Sequence, residues 1–145
     1  MSKKPPHFIQ VTLTPEQAGI VVDALDLLSR IHMGQFHTVS EQFWDKLPDR
    51  EAVVRMEEAL FKARKEAFPE IEGGANHSHS MSSLGVAEAG KVSWDILQVI
   101  SNASAFAGNP EGGHTVDFND PMFVSKSVPR PVANSVSILD RLADA

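Results

Sequence analysis

The sequence predicts an α+β fold, with about four helices packed against a small antiparallel sheet formed by the N-terminal strand and a C-terminal hairpin. Three observations carry this expectation. Long stretches in the middle of the chain repeat apolar residues at helical spacing. Short strand-like stretches lie near both ends, and clusters of Gly, Asn and Pro separate the elements. A length of 145 residues with 42% apolar content suits one domain, 1–145, with a core of its own. Within it, 1–6 are expected to be a flexible N-terminus and 127–145 an extended C-terminal arm.

Taken in order, His7 to Leu13 (HFIQVTL) is the first strand candidate. Thr14-Pro15-Glu16-Gln17 follows as a capping box: an N-cap hydroxyl, a proline at the first helical position and a glutamine three residues after the cap. The helix it starts carries Ile20, Val21, Ala24, Leu25, Leu28 and Ile31. It is predicted to end near Met33-Gly34, where glycine accepts a left-handed C-cap. Gln35 to Lys46 is predicted as a second, shorter helix, apolar at Phe36, Val39, Phe43 and Trp44. Leu47-Pro48-Asp49 starts a third helix that runs to about Phe68. Its stripe is Val53, Met56, Leu60, Ala63 and Ala67, and Pro69 ends it. The pairs Glu51–Arg55 and Glu58–Lys62 have the favourable i,i+4 orientation. Ile71 to Leu84 has no periodicity, and Val86 to Ala105 is the fourth helix. After the Gly108–Gly113 turn cluster, His114–Phe118 and Met122–Val128 read as the hairpin, joined by Asn119-Asp120-Pro121. The N-terminal strand is expected to pair with it, since three strands are stable where two are marginal. Ser127 to Ser137 reads as extended, and Ile138 to Leu142 as one last helical turn.

Composition removes several functions. The chain has no cysteine, which excludes disulfides, a thiolate nucleophile and every cysteine-based zinc site. A net charge of −6 disfavours duplex nucleic acid as a partner. The basic MSKKPPHF start leads into prolines and not an apolar run, and no apolar run approaches a membrane span, so a cytoplasmic location is expected. Asp45 to Glu72 holds 14 charged residues, whereas Gly73 to Gly113 holds only Glu88, Lys91, Asp95 and Glu111. The first stretch reads as a solvated helix face. The second reads as a segment buried by its own domain or by another subunit.

Two segments stand out as candidate sites. Gly73-Gly74-Ala75-Asn76 and then His77-Ser78-His79-Ser80 lead toward the fourth helix. Backbone N–H groups, serine hydroxyls and imidazoles there form an anion cradle for a phosphate or nucleotide; the bland alternative is that the serines are N-caps. His77 and His79 could also ligate a metal with His114, Glu72 or Asp95, although the spacing matches no zinc motif. The second segment is Ser29 to Phe36, where Arg30, His32 and Gln35 meet at a helix–helix joint. Arg30 could clamp a phosphate or simply cap the joint. Asp95 and Gln98 are polar residues in an otherwise apolar helix, able to pair with Arg30 or to read a ligand. No G-x-S-x-G elbow is present and tyrosine is absent, so the pattern favours binding over catalysis.

Leu25–Phe36 (LDLLSRIHMGQF) and Lys91–Ile100 (KVSWDILQVI) resemble a group of small proteins of tailed bacteriophages. Members are similar in an L-T-x-E-Q helix start, an "SRI-MGQF" joint, a Gly/Ser-rich loop, a "WDIxQVI" helix and a stretch like Gly113–Phe118. Similar proteins follow "QVI" with an Arg-His pair and an aromatic segment, where this chain has Ser101 to Phe106, so no role for those basic residues is carried over. The resemblance implies an accessory phage protein that counters host defence. The expectation is a homo-oligomer that sequesters a small nucleotide-like ligand, cyclic or of ADP-ribose type, at Arg30, His32, Gln35, Asn76, His77, Ser78, His79, Ser80, Asp95 and Gln98, without a cofactor. The fourth helix is expected to form the subunit contact. Alternatives are direct inhibition of a host defence protein and a metal-dependent hydrolase.

Overall fold

Thr14 begins the ordered architecture in the way its sequence requires. Its hydroxyl accepts from the Gln17 N–H at 3.3 Å, and the Gln17 side chain accepts from the Thr14 N–H at 2.9 Å. This capping box opens helix α1, Pro15–His32. Gly34 turns the chain out of α1 with a φ of +89°. The computed structural model describes residues 7–136; residues 1–6, the last part of the expected arm and the turn at Ile138–Leu142 lie outside this range.

Helix α2, Thr38–Glu41, is a single turn. The expected helix over 35–46 is cut short because its hydroxyls compete with the helical ladder. Thr38 Oγ1 donates to Gln35 O at 2.8 Å and Ser40 Oγ to His37 O at 2.7 Å. Its flanks are held by i→i+3 bonds, among them Val39 N to Phe36 O and Phe43 N to Ser40 O. Helix α3, Arg50–Ala67, starts on Asp49, whose carboxylate accepts from Ala52 N at 2.8 Å, and ends at Phe68 before Pro69. Helix α4, Glu88–Gly108, is the longest element.

The α1–α4 pair is the principal packing of the fold. The two helices come close at Gly90, where an added Cβ would lie 2.5 Å from the Cβ of His32. That closeness lets Ser29, fully buried, donate from Oγ to Gly90 O at 3.2 Å as well as to Leu25 O at 2.8 Å. Val86, Val99, Met81 and Ala52 are the buried apolar residues. Each large one contributes about 1.5–3 kcal/mol of transfer free energy. Ser29, Thr38, Ser40, Arg64, Ser93 and Asp95 are buried beside them, so polar groups occupy an unusual share of this interior.

The expected sheet is not there. No strand occurs among the described residues, and the chain is all-α rather than α+β. Residues 8–13 belong to no helix or strand and donate and accept no backbone hydrogen bond. In place of the first hairpin strand, Val116–Phe118 is a single 3₁₀ turn. The second fails for a chemical reason: its N–H groups are claimed by side chains of α4. Met122 N donates to Gln98 Oε1 at 3.2 Å, Val124 N to Asp95 Oδ1 at 2.8 Å and Ser125 N to Asp95 Oδ2 at 3.0 Å. Donors satisfied by a buried carboxylate gain nothing from a ladder. Among the described residues no helix is long and apolar enough to cross a membrane.

Candidate functional site

Helix α3 positions the most unusual side chain in the molecule. The helix buries Ala52 and Arg64, while Ala63 and Ala67 of the expected stripe are exposed; Arg64 follows the half-buried Leu60 and Phe61 by four and three residues, and it is only 1% exposed. Its Nη1 donates to His77 O at 2.7 Å and its Nη2 to Gly73 O at 3.2 Å, clasping the 73–77 loop to the helix. Its Cζ stands 4.9 Å from the Phe61 ring centroid. The Nε–H has no acceptor, and no described carboxylate forms an ion pair with Arg64. A guanidinium offers five N–H donors, and burying one without a counter-charge is costly.

Around Arg64 lies a cleft of about 130 Å³ lined by Phe36, His37, Glu57, Phe61, Arg64, Ala75 and Asn76. The turn that leads into α2 contributes Phe36 and His37, α3 contributes Glu57, Phe61 and Arg64, and the loop closes the third side. His37 Nδ1 is also buried without a partner. Glu57 meets only Ser40 Oγ, at 3.5 Å. The loop takes its shape from Gly73, with φ +95°; a Cβ there would lie 2.7 Å from the His77 ring that rests on it. Such a conformation suits glycine alone. The N–H groups of Gly74, Ala75 and Asn76 have no backbone acceptor.

The loop does not run straight into α4, as its serines suggest in sequence. Turns over 80–87 intervene, and α4 starts at an Ala87 N-cap with no side-chain cap. His79 instead ties three segments together. Its N–H donates to Met33 O at 2.9 Å, its Nε2 meets Glu70 Oε1 at 2.8 Å and its ring packs edge-on against Phe68. The His79 ring beside it holds the Glu70 carboxyl below its ordinary pKa, through their hydrogen bond.

The expected site residues thus divide among five places. Asn76 lines the Arg64 cleft, and the loop turn places His77 beside it. Arg30, Gln35 and Ser78 form a chain: Arg30 Nη1 to Gln35 Oε1 at 3.0 Å, then Gln35 Nε2 to Ser78 Oγ at 3.2 Å. Arg30 Nε is taken up by Asp26 at 2.6 Å, and its surroundings, Asp23, Asp26 and Glu41, are acidic. His32 packs on Gly90 at the α1–α4 contact, while Asp95 and Gln98 hold 122–125. His79 and Ser80 remain on the outer loop, where Ser80 Oγ lies 3.5 Å from Ser82 Oγ. Among the described residues no three His, Asp or Glu side chains are grouped to hold a metal ion. Arg64, Glu57, Phe36, Phe61 and His37 are the cleft residues that sequence reading missed; the signal was the i+4 spacing of Arg64 from Leu60.

No protein-family model, curated protein or solved structure matches this chain.

Proposed function

We propose that the chain is a non-catalytic binding protein for a small phosphorylated ligand of nucleotide type, held at the Arg64 cleft. The observation that carries this reading is Arg64 itself: buried, without a carboxylate partner among the described residues, and with Nε unsatisfied. The uncompensated charge of this guanidinium in the cleft wall favours an acceptor-rich occupant beside it. Phe36 and Phe61 offer aromatic walls to a planar ring. Glu57 shares that lining, so a phosphate on the cleft floor would face a carboxylate. The ring therefore enters, with a donor edge toward Glu57 and an acceptor edge toward Arg64 and Asn76. The phosphate stays at the rim, on the free N–H groups of Gly74, Ala75 and Asn76. A volume of about 130 Å³ suits one ring system and not a whole dinucleotide.

In the setting implied by the resemblance to small tailed-phage proteins, such capture withdraws a nucleotide signal from the host's defence. The test is melting temperature against a panel of mononucleotides, cyclic nucleotides and ADP-ribose. A ligand at a hundred times its Kd adds about 2.7 kcal/mol of stability. Asn76→Ala, an exposed change that spares the fold, reduces that gain. The reading fails if no compound of the panel moves the melting temperature.

A further inference from the structure

We infer that the cleft selects a guanine-type ring and that Glu57 is the residue that selects it; this rests on the nucleotide reading above and narrows it. Glu57, Phe61 and Arg64 follow one another at i, i+4 and i+7 on α3, so one face of the helix brings all three to the same cleft. A carboxylate and a guanidinium therefore share one small space. No ion pair joins them among the described residues.

Glu57 is half-buried and has little to accept from. Only Ser40 Oγ comes near, at 3.5 Å, and the single proton of that hydroxyl already goes to His37 O at 2.7 Å. Both carboxylate oxygens are therefore open to donors. A carboxylate drawn partly out of water gains most from two charge-assisted hydrogen bonds made side by side. Arg64 has the opposite demand. Nη1 and Nη2 each donate one proton to the loop, to His77 O and Gly73 O, and each carries a second.

These opposite demands fix the chemistry of the occupant. A cation in the cleft would face Arg64 and an anion would face Glu57, so the group that enters is a neutral ring with donors on one edge and acceptors on the next. Guanine is the common base that meets both conditions. Its N1–H and 2-amino group stand side by side and give one hydrogen bond to each oxygen of a carboxylate. Its O6 and N7 follow around the ring as acceptors for the guanidinium and for the Asn76 amide. The other bases set an acceptor where the second carboxylate oxygen would lie. Adenine has N1 beside its amino group, cytosine has N3 beside its own, and uracil flanks its N3–H with two carbonyls. Hypoxanthine keeps N1–H and lacks the second donor.

Calorimetric titration of the full chain with the 5′-monophosphates of guanosine, inosine, adenosine and xanthosine tests the inference. On the wild type the guanosine compound binds tightest. Inosine monophosphate, without the 2-amino donor, binds about tenfold more weakly, and adenosine monophosphate about a hundredfold or more. Glu57→Gln replaces two acceptors with one acceptor and one donor, which match the N1–H and the 2-carbonyl of xanthine. In that variant the guanosine compound loses about ten- to a hundredfold and the xanthosine compound overtakes it. A residue that merely supports the helix would weaken all four alike and give no exchange. If Glu57→Gln does not fold, the wild-type order decides alone. Adenosine monophosphate bound as tightly as guanosine monophosphate overturns the guanine inference and leaves the nucleotide reading standing. A wild-type chain that binds none of the four overturns both. A Glu57→Gln chain that keeps the guanosine preference, or loses guanosine and xanthosine compounds alike, overturns the role of Glu57 and with it the inference.

Discussion

Replacing Gly90 with alanine separates the packing account from simple helix propensity. Gly90 and Gly19 both lie inside helices, and alanine in an unobstructed helix interior is favoured over glycine by about 0.5–1 kcal/mol. At Gly19 nothing lies within 4 Å of the new methyl, so Gly19→Ala stabilises by that amount. At Gly90 the methyl falls 2.5 Å from His32 Cβ, an atom fixed to the backbone of α1, and 3.3 Å from Val86 Cγ1. The helices must part, which costs about 1–3 kcal/mol as overpacking. Separation also stretches the 3.2 Å bond from Ser29 Oγ to Gly90 O, worth about 1 kcal/mol. The net result is a loss of about 1–3.5 kcal/mol, or roughly 3–14 °C in melting temperature for a chain of this size. Thermal and urea unfolding followed by circular dichroism measure both variants against the wild type. A Gly90→Ala protein melting at or above the wild-type temperature refutes the close α1–α4 contact.

Other consequences follow from individual groups. Asp95→Ala strands the N–H groups of Val124 and Ser125, costing about 2–4 kcal/mol, and trypsin then cuts sooner after Lys126. Asp49→Ala removes the α3 cap at Ala52 N and lowers stability in urea by about 1 kcal/mol. For Glu70, the folded-state pKa lies below its unfolded value, so its contribution is complete above the usual carboxylate range near about 4.3 and is lost as pH falls through the folded value. Its side chain is half exposed, which keeps the effect small. Melting curves between pH 6 and 3, conditions taken as a span of about three units around that range, show a shallower acid decline in Glu70→Gln than in the wild type.

Much of the helical frame was legible in the sequence because its signals are local. The Thr14–Gln17 capping box, the Leu47-Pro48-Asp49 break and the Phe68-Pro69 stop each act within a few residues, and α1 and α3 lie where these signals put them; α4, read over 86–105 from its apolar spacing alone, runs Glu88–Gly108. The sheet was misread because the alternation near each end says only that a segment is extended, not what satisfies its backbone. In 122–125 that partner is Asp95 and Gln98, more than twenty residues away along the chain. The second helix was overestimated because Thr38 and Ser40 spend their hydroxyls on nearby carbonyls. In the candidate site the sequence draws attention to Gly73–Ser80 as an anion cradle, and residues 73–77 of it are the part that Arg64 clasps. Its partner, Arg64, was hidden in a stretch of fourteen charged residues that reads as solvent-facing. Charge density concealed it, although its spacing from Leu60 did not.

The most direct measurement of the binding account is calorimetric titration of the purified chain with nucleotides, run in parallel on Arg64→Met, Glu57→Gln and Asn76→Ala. The account predicts one saturable site per chain on the wild type. Affinity should fall by about ten- to a hundredfold when one hydrogen-bonding partner is removed, with Glu57→Gln and Asn76→Ala retaining the wild-type fold. A wild-type chain that takes up no nucleotide, or one whose affinity is the same in all three variants, contradicts it.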